Sequence, residues 1–392
     1  MMRPLLLTRQ RHFVLRSTAR ARAVVGRVDR AFAVSAAAFS AQLARAGYGS
    51  VVGRLIVGVV VLSVAALLLS FIAVSIGPYE IPLSHVWSVF MDWLGAGAGS
   101  ATTTEKAIIE TIRLPRILLA LGAGAALAVA GSALQGVFRN PMADPGIVGV
   151  SAGASLGAVI AIATGAAAAI AMALPAMAFV GAACVLMVVY LLSAFGGRAS
   201  LASLLLTGVA VSSFTSAVVS AVIILTGDQQ VQREMVFWLA GGLDSTGWAD
   251  VGLALPLIVA GSLVAFAFAR DLNLMLIGED DARSLGVRVG LVRNVLLVCA
   301  SLITGAAVAF SGTIAFVGLV APHAVRLVVG PDHRVQMPLS ALAGGVFLLA
   351  ADTISRTVAS PAEIRVGIVT ALAGAPLFVL LLIKNKAKAG HI

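Results

Sequence analysis

The feature that most constrains this chain is a succession of apolar runs, each close to the length that a helix needs to cross a lipid bilayer. A bilayer core of roughly 30 Å is crossed by about 20 helical residues. The runs cover about 55–76, 115–137, 147–165, 172–194, 201–225, 251–269, 294–310, 313–329, 337–357 and 364–383. We therefore predict an all-α polytopic membrane protein with about ten transmembrane helices.

The composition supports a membrane protein and argues against a soluble domain. Of the 392 residues, 60% are hydrophobic and 11% are charged, against roughly 45–50% and 25% in soluble domains. The 40 glycines fit helices whose backbones approach closely in lipid. Cys184 and Cys299 both fall inside apolar runs. We expect them to be small buried hydrophobic residues rather than a disulfide or metal pair.

The distribution of basic residues predicts the orientation in the membrane. Residues 1–54 hold ten arginines and one acid, Asp29. We interpret them as a basic cytosolic tail, with an organelle transit peptide as the alternative. If both termini are cytosolic, the inside segments carry 21 Lys and Arg and the outside segments carry 6, as the positive-inside rule requires. We expect a transmembrane domain over 55–384 and a cytosolic C-terminal tail over 385–392.

One polar loop interrupts the apolar pattern at residues 270–294, and we call it the polar loop. Its composition predicts two short helices on either side of Gly278, Glu279, Asp280 and Asp281. A segment this polar must lie in water, and charge counting places it in the cytosol. We interpret it as a docking surface for a soluble partner. The alternative is a solvated loop that binds no partner.

Motifs for chemistry are mostly absent from the sequence. None of the four lysines, at positions 106, 384, 386 and 388, belongs to a phosphate-binding P-loop. Residues 149–153 match the G-x-S-x-G pattern around Ser151, but the pattern continues to Gly157 inside an apolar run. That context favours a helix-packing face over a hydrolase nucleophile. The glycines at 95–99 form no dinucleotide fingerprint. We predict no catalytic, metal or permanent cofactor site and no nucleic-acid partner.

Several specific motifs occur in order along the chain. The first three are RLPR at 113–116, GSALQG at 131–136 and the turn VFRNPMADPG at 137–146. They are followed by LTGVA at 206–210, FWLAGG at 237–242, SGTIAFVGLVAPH at 311–323, DHR at 332–334 and PAEIRVGIVTALAGAP at 361–376. Over roughly residues 55–384 the chain resembles the FecCD permease family, the membrane subunits of ATP-binding-cassette (ABC) importers for iron-siderophores, haem and cobalamin.

The resemblance implies a type II ABC importer permease fold in the bacterial inner membrane. It implies a homodimer with the substrate path along the dimer axis, lined mainly by the fifth span. Two ATPase subunits would bind ATP and dock on the polar loop, at Leu272, Glu279, Asp280, Asp281, Arg283, Leu285, Gly286, Val287 and Arg288. A periplasmic binding protein with acidic knobs would meet arginines on the outer side, for which the candidates are Arg113, Arg116, Arg356 and Arg365.

The cargo is predicted from the outer segment near residues 229–238, which looks closer to haem permeases than to siderophore permeases. Arg365 stands where many relatives have proline, and an extra outward cation would suit haem propionates. Haem is therefore the expected cargo, with ferric siderophore and cobalamin as alternatives. The possible path residues are Arg233, Met235, Trp238, His323 and His333, although the two histidines can equally be polar groups at a helix end.

Two other classes of membrane protein are the alternatives to a permease. A secondary transporter needs ionisable groups along its path. Asp352 is the only acid well inside a span, and Arg356 one turn later can neutralise it. An intramembrane hydrolase would need a base near Ser151, and the sequence offers none nearby.

Overall fold

The computed structural model describes residues 50–97, 99–195, 201–360 and 362–389, with side chains to residue 379. Within these ranges all the regular structure is helical. The α-helices are α1 (Val51–Ser75), α2 (Leu83–Trp93), α3 (Thr103–Ala107), α4 (Leu114–Val137), α5 (Val150–Ala163), α6 (Ala166–Ala169), α7 (Ala173–Ala194), α8 (Leu201–Leu225), α9 (Gln229–Leu239), α10 (Trp248–Ala267), α11 (Ala269–Met275), α12 (Glu279–Ser284), α13 (Val289–Ser311), α14 (Val317–Val329), α15 (His333–Thr357) and α16 (Val366–Ala389). A π-helical turn (Ile108–Arg113) joins α3 to α4, and a 3-10 turn (Pro145–Val148) precedes α5.

The predicted apolar runs correspond one to one with helices of the described chain. Seven helical segments are long and apolar enough to cross a membrane, and three shorter apolar helices lie at 150–163, 317–329 and 366–379. The all-α polytopic fold is therefore confirmed. Helix α1 begins at Val51, so the predicted boundary of the N-terminal tail at residue 54 is a few residues late. Most of that tail, residues 1–49, lies outside the described residues.

The division near residue 312 is real and has a local cause. Helix α13 ends at Ser311, and Gly312 adopts a positive φ of 64°. A Cβ on Gly312 would lie 2.4 Å from the backbone oxygen of Trp238, so only glycine fits this approach. The segment before α14 is not helical, and Thr313 donates its hydroxyl proton to the carbonyl of Leu239. Irregular backbone at membrane depth is tolerated when protein groups satisfy it in this way.

Close glycine contacts hold the main helix pairs together. A Cβ on Gly124 would lie 2.2 Å from the backbone oxygen of Gly344, which joins α4 to α15 backbone to backbone. Gly153 of α5 approaches Gly181 of α7 in the same way, with a Cβ-to-oxygen distance of 2.4 Å. The G-x-x-x-G pattern of α5 is thus a packing face, as predicted. Ser151 lies in the first turn of that helix and follows a 3-10 turn rather than a strand.

The helix ends gather on two opposite sides of the molecule. On the loop side, the polar loop meets the C-terminal end of α4 and the N-terminal end of α15. There Arg54 of α1 also donates to the carbonyl of Val329 at 2.7 Å. On the arginine side, the C-terminal end of α1 meets the start of α4 and the end of α15, through Arg113 and Arg356. These two sides carry the candidate functional residues.

Candidate functional site

The polar loop folds into two short helices, as its composition predicted, but Glu279, Asp280 and Asp281 belong to the second helix rather than to the break between the two. Helix α11 ends at Met275 and helix α12 begins at Glu279, with Gly278 between them at a φ of 152°. A second glycine, Gly286, has a φ of 89° and ends α12 before the chain enters α13. Both turns use backbone conformations that side-chain-bearing residues rarely adopt.

The exposed surface of this loop differs in part from the predicted one. Leu285 is 60% exposed, whereas Leu272 and Val287 are 0% and 7% exposed and pack into the core. Leu272 and Val287 are therefore corrected to structural residues that a partner cannot touch. Sequence reasoning missed two apolar residues that are exposed instead, Leu276 at 43% and Ile277 at 65%. Leu272 and Met275 share the buried face of α11, but the helical repeat only groups residues on one face and does not tell which face is buried.

The charges around α12 are exposed or half-buried, and three of them pair with one another. Arg283 contacts Asp280 at 2.6 Å and Glu279 at 3.0 Å, one helical turn away. Asp281 and Arg288 are also exposed. Such surface pairs exchange readily for contacts with a partner, since each is worth about 1 kcal/mol or less.

Three of the predicted docking arginines lie inside the protein. Arg113, Arg116 and Arg356 are 5%, 7% and 4% exposed. A group this buried has no outward guanidinium to offer, so their expected direct contact with a binding protein is corrected. With Asp352 and Glu363 they form what we call the arginine network.

The arginine network makes its ion pairs and hydrogen bonds inside the protein. The fully buried carboxylate of Asp352 contacts Arg116 at 2.9 Å and Arg356 at 3.2 Å, and Arg116 also contacts Glu363 at 2.9 Å. The predicted pairing of Asp352 with Arg356 is confirmed. Arg113 and Arg356 also donate to carbonyls at the end of α1, namely those of Ala73, Val74, Ile76 and Tyr79. Cations at a helix C-terminus satisfy its free carbonyls and complement its dipole.

A cavity of about 510 Å³ opens on the arginine side, next to α9. Its lining includes Arg233, Phe237, Trp238, Asp244 and Arg365. Arg365 forms an ion pair with Asp244, and its guanidinium carbon lies 4.7 Å from the centre of the Phe237 ring. The structure thus gives the predicted extra cation a counter-ion and an aromatic neighbour.

The remaining path candidates are spread over the molecule. Arg233 and Trp238 share the cavity, but Met235 on the same helix is fully buried in the core and is corrected to a packing residue. His333 is 1% exposed and its Nδ1 lies 2.9 Å from Oδ1 of Asn273, at a helix end on the loop side. His323, on α14, is half-buried. Within the described chain no cluster of potential metal ligands is formed.

A hydrogen-bonded cap surrounds the start of α15 on the loop side. Asp332 accepts from the backbone N–H of Arg334 at 3.0 Å and from its Nη2 at 2.8 Å. This contact with the Arg334 guanidinium holds the pKa of Asp332 well below its usual range. Asn273 of α11 donates to the same carboxylate at 2.6 Å. The polar loop is therefore tied to a transmembrane helix through side-chain hydrogen bonds.

Helix α8 is unusual in its exposed face. Phe214 is 71% exposed, and Ser213, Ser216 and Ser220 are exposed beside it. Ser213 and Ser220 donate to carbonyls of their own helix at 2.9 and 3.0 Å. A helix face that mixes hydroxyl and apolar groups is better suited to contact another helix or a water-filled path than to contact lipid tails.

A comparison with known families decides the assignment. The FecCD transport family matches residues 32–384. The chain belongs to the FecCD transport family. The recognition made from the motifs is confirmed, and the polar loop, the arginine network and the cavity are features of a FecCD-type permease.

Similar permeases are named for different transported substrates. The cobalamin import system permease of Halobacterium salinarum is 50% identical over 73% of this chain and 76% of its own length. The hemin transport system permease of Yersinia pestis is 40% identical over 70% of this chain and 83% of its own length. A solved structure described as an inward-facing metal-chelate type ABC transporter superposes with a TM-score of 0.73 at 31% identity, covering 82% of this chain and 97% of that one.

Proposed function

We propose that this chain is the permease subunit of an ABC importer in the bacterial inner membrane, with both termini cytosolic. ATP is hydrolysed by a separate subunit that docks on the polar loop. The observation that carries this proposal is the polar loop of a FecCD-family chain, where exposed Leu276, Ile277 and Leu285 lie among exposed, exchangeable charges. An apolar knob with a charged rim is the usual composition of a protein interface.

The assembly that we propose contains two copies of this chain and two ATPase subunits. The exposed serine-bearing face of α8 supports a homodimer. A second copy of the chain would pack against this face, or the two copies would line a water-filled path with it. A periplasmic binding protein docks on the arginine side. Arg365 is the direct contact there, since its side chain is 24% exposed, and the buried arginines contribute only through their electrostatic field.

The cargo that we propose is a metal tetrapyrrole. Cobalamin is the first candidate, because a cobalamin permease shares 50% identity with this chain. Haem, the cargo expected from the sequence, is the second candidate. The observation in favour of haem is the cavity that combines Arg233 with Phe237 and Trp238, since cations suit propionates and aromatic rings suit a porphyrin face. The acids Glu234 and Asp250 also line this cavity and oppose a propionate. Because Arg365 is paired with Asp244, its guanidinium is less free to bind a propionate.

Reconstitution tests both the machinery and the cargo. The chain is placed in proteoliposomes with its ATPase partner and binding protein, and uptake of cobalamin, haem and a ferric siderophore is measured with and without ATP. We expect ATP-dependent uptake of one tetrapyrrole. Uptake that proceeds equally without ATP would contradict the proposed importer, and ATP-dependent uptake of the siderophore alone would contradict the tetrapyrrole cargo.

The absorption spectrum of the purified binding protein gives an independent answer on the cargo. A corrinoid spectrum supports cobalamin and a Soret band supports haem. A siderophore charge-transfer band, with neither of the other two signals, excludes both.

A further inference from the structure

The polar loop is fastened to a transmembrane helix by one asparagine side chain. Oδ1 of Asn273 accepts from the backbone N–H of His333 at 2.8 Å and contacts Nδ1 of the same residue at 2.9 Å. Its Nδ2 donates to Asp332 at 2.6 Å. Both partners belong to the N-terminal cap of α15. Asn273 therefore satisfies a free N–H of the first turn of α15 from a different helix.

The packing around this contact leaves little room for slippage. A Cβ on Gly136, at the end of α4, would lie 2.8 Å from Nε2 of His333 and 2.9 Å from a methyl of Leu272. Leu272 and His333 thus both occupy the space that a larger residue at 136 would take. Helix α11, the end of α4 and the start of α15 meet at this point, and His333 and Leu272 are at most 1% exposed.

Helix α15 then runs from this point to the arginine network. Its 25 residues span about 37 Å, and its last turns carry Asp352 and Arg356. It is held to α4 by the backbone contact of Gly124 with Gly344 and by the 2.6 Å hydrogen bond from Ser132 to Gln336. Pro338 lies inside α15 and removes one backbone hydrogen bond of the helix, so the contacts with α4 on both sides of this proline hold the helix together. Elements packed this tightly move as a unit rather than deform.

We infer that Asn273 is the positioning residue that passes displacement of the polar loop to α15, which carries it across the membrane to the arginine network. The ATPase would move α11 and α12. The start of α15 would follow because its cap is bonded to α11, and the paired α4 would move with it. The far end of α15 carries the groups that clamp α1. This inference rests on the proposed function, since it concerns coupling within the importer.

The variants follow from the donor and acceptor roles of the contact. Asn273→Ala removes every bond. Asn273→Asp keeps an acceptor for His333 but sets a second carboxylate against Asp332, where like charges repel. The double variant Asn273→Asp with Asp332→Asn restores a donor and acceptor pair with the roles exchanged. Asn140→Ala is the matched control, because among the described residues its side chain accepts only from the backbone N–H of Met142, two positions later.

Two measurements are made on each variant. In the purified full chain, hydrogen exchange of the His333 amide is expected to rise several-fold in Asn273→Ala and to stay unchanged in the control. In proteoliposomes with the ATPase partner and binding protein, uptake per ATP hydrolysed is expected to fall at least about fivefold in both single Asn273 variants. ATP hydrolysis continues, and the double variant recovers most of the ratio.

The outcomes separate this inference from the proposed function. An unchanged exchange rate in Asn273→Ala would overturn the contact itself, whatever the chain transports. Faster exchange with an unchanged uptake-to-ATP ratio would overturn the coupling role. A wild-type chain that shows no ATP-driven uptake of any of the three cargoes would overturn the proposed function, and the coupling role with it.

Discussion

The arginine network and the polar loop both gather charges, but they hold them in opposite ways. In the network, the side chains of Asp352 and Arg356 are 0% and 4% exposed. In the loop, Asp280 and Arg283 are 96% and 56% exposed. Distances alone would call both pairs salt bridges, since they measure 3.2 and 2.6 Å. Burial separates a pair that the fold depends on from a pair that a partner can replace.

This difference in burial indicates which side of the molecule can bind a partner through its charges. Charges inside the network cannot leave without exposing an unpaired ion to a low dielectric, so they fix the ends of α1, α4 and α15. Charges on the loop cost little to rearrange. A partner can therefore bind the loop side. A movement there would reach the arginine side through the helices whose ends the network fixes.

The largest effect is expected at the centre of the network. Asp352→Ala leaves Arg116 and Arg356 close together without their shared counter-ion, and the remaining acid, Glu363, makes its direct contact with Arg116. We expect a loss of about 3–5 kcal/mol in the free energy of unfolding. Denaturant unfolding of the detergent-solubilised chain measures it. A loss below about 1 kcal/mol would erase the distinction drawn between the two sites.

A smaller effect is expected at Arg365, the partly exposed arginine on the same side. Arg365→Glu should weaken docking of the binding protein about tenfold at low salt, and less at high salt, where exposed charges are screened. Asp244→Asn is the matched variant and should strengthen docking, because it frees the Arg365 guanidinium from its ion pair. Binding measured at two salt concentrations checks both. Equal affinities for all three chains would remove Arg365 from the docking surface.

The transmembrane pattern could be predicted from sequence because it depends on local composition. Hydrophobic length gave the runs, and the G-x-x-x-G spacing gave the α5 packing face. The burial of the arginines and the identity of their partners could not be predicted in the same way. Arg116 and Asp352 are 236 positions apart, and the carbonyls that Arg356 binds are about as distant along the chain. A single sequence shows that an arginine begins a helix, but not which distant group will bury it.

The polar loop shows the same limit on a smaller scale. Its two helices were predicted because Gly278 and the acids after it break the apolar pattern. The burial of Leu272 and the exposure of Ile277 were not predicted, because they depend on how α11 is rotated and on the turn that follows it. The rotation is set by contacts with Gly136 and His333, which come from other helices.

Two glycines of this region should respond to alanine with opposite signs. Gly286 has a φ of 89°, so Gly286→Ala should destabilise the chain by about 1 kcal/mol. Gly290 lies in the first turns of α13 with open space around it, so Gly290→Ala should stabilise by about 0.5–1 kcal/mol. Unfolding midpoints of the two variants measure the contrast. If both variants shifted in the same direction, the turn at 286 would not need its left-handed backbone.

The smallest effect is expected for the exposed charge pair, and it completes the comparison. Arg283→Ala breaks contacts with Glu279 and Asp280, yet Asp280 lies in water and Glu279 is partly exposed, so the free energy of unfolding should change by less than about 0.5 kcal/mol. Affinity for the ATPase subunit should fall at low salt, because the same arginine lies beside the exposed Leu285. The free energy of unfolding and the affinity for the ATPase subunit are therefore measured on the same preparation of the Arg283→Ala variant. A large loss of stability with unchanged ATPase binding would make Arg283 a structural residue like Arg116, and the polar loop would no longer differ from the network.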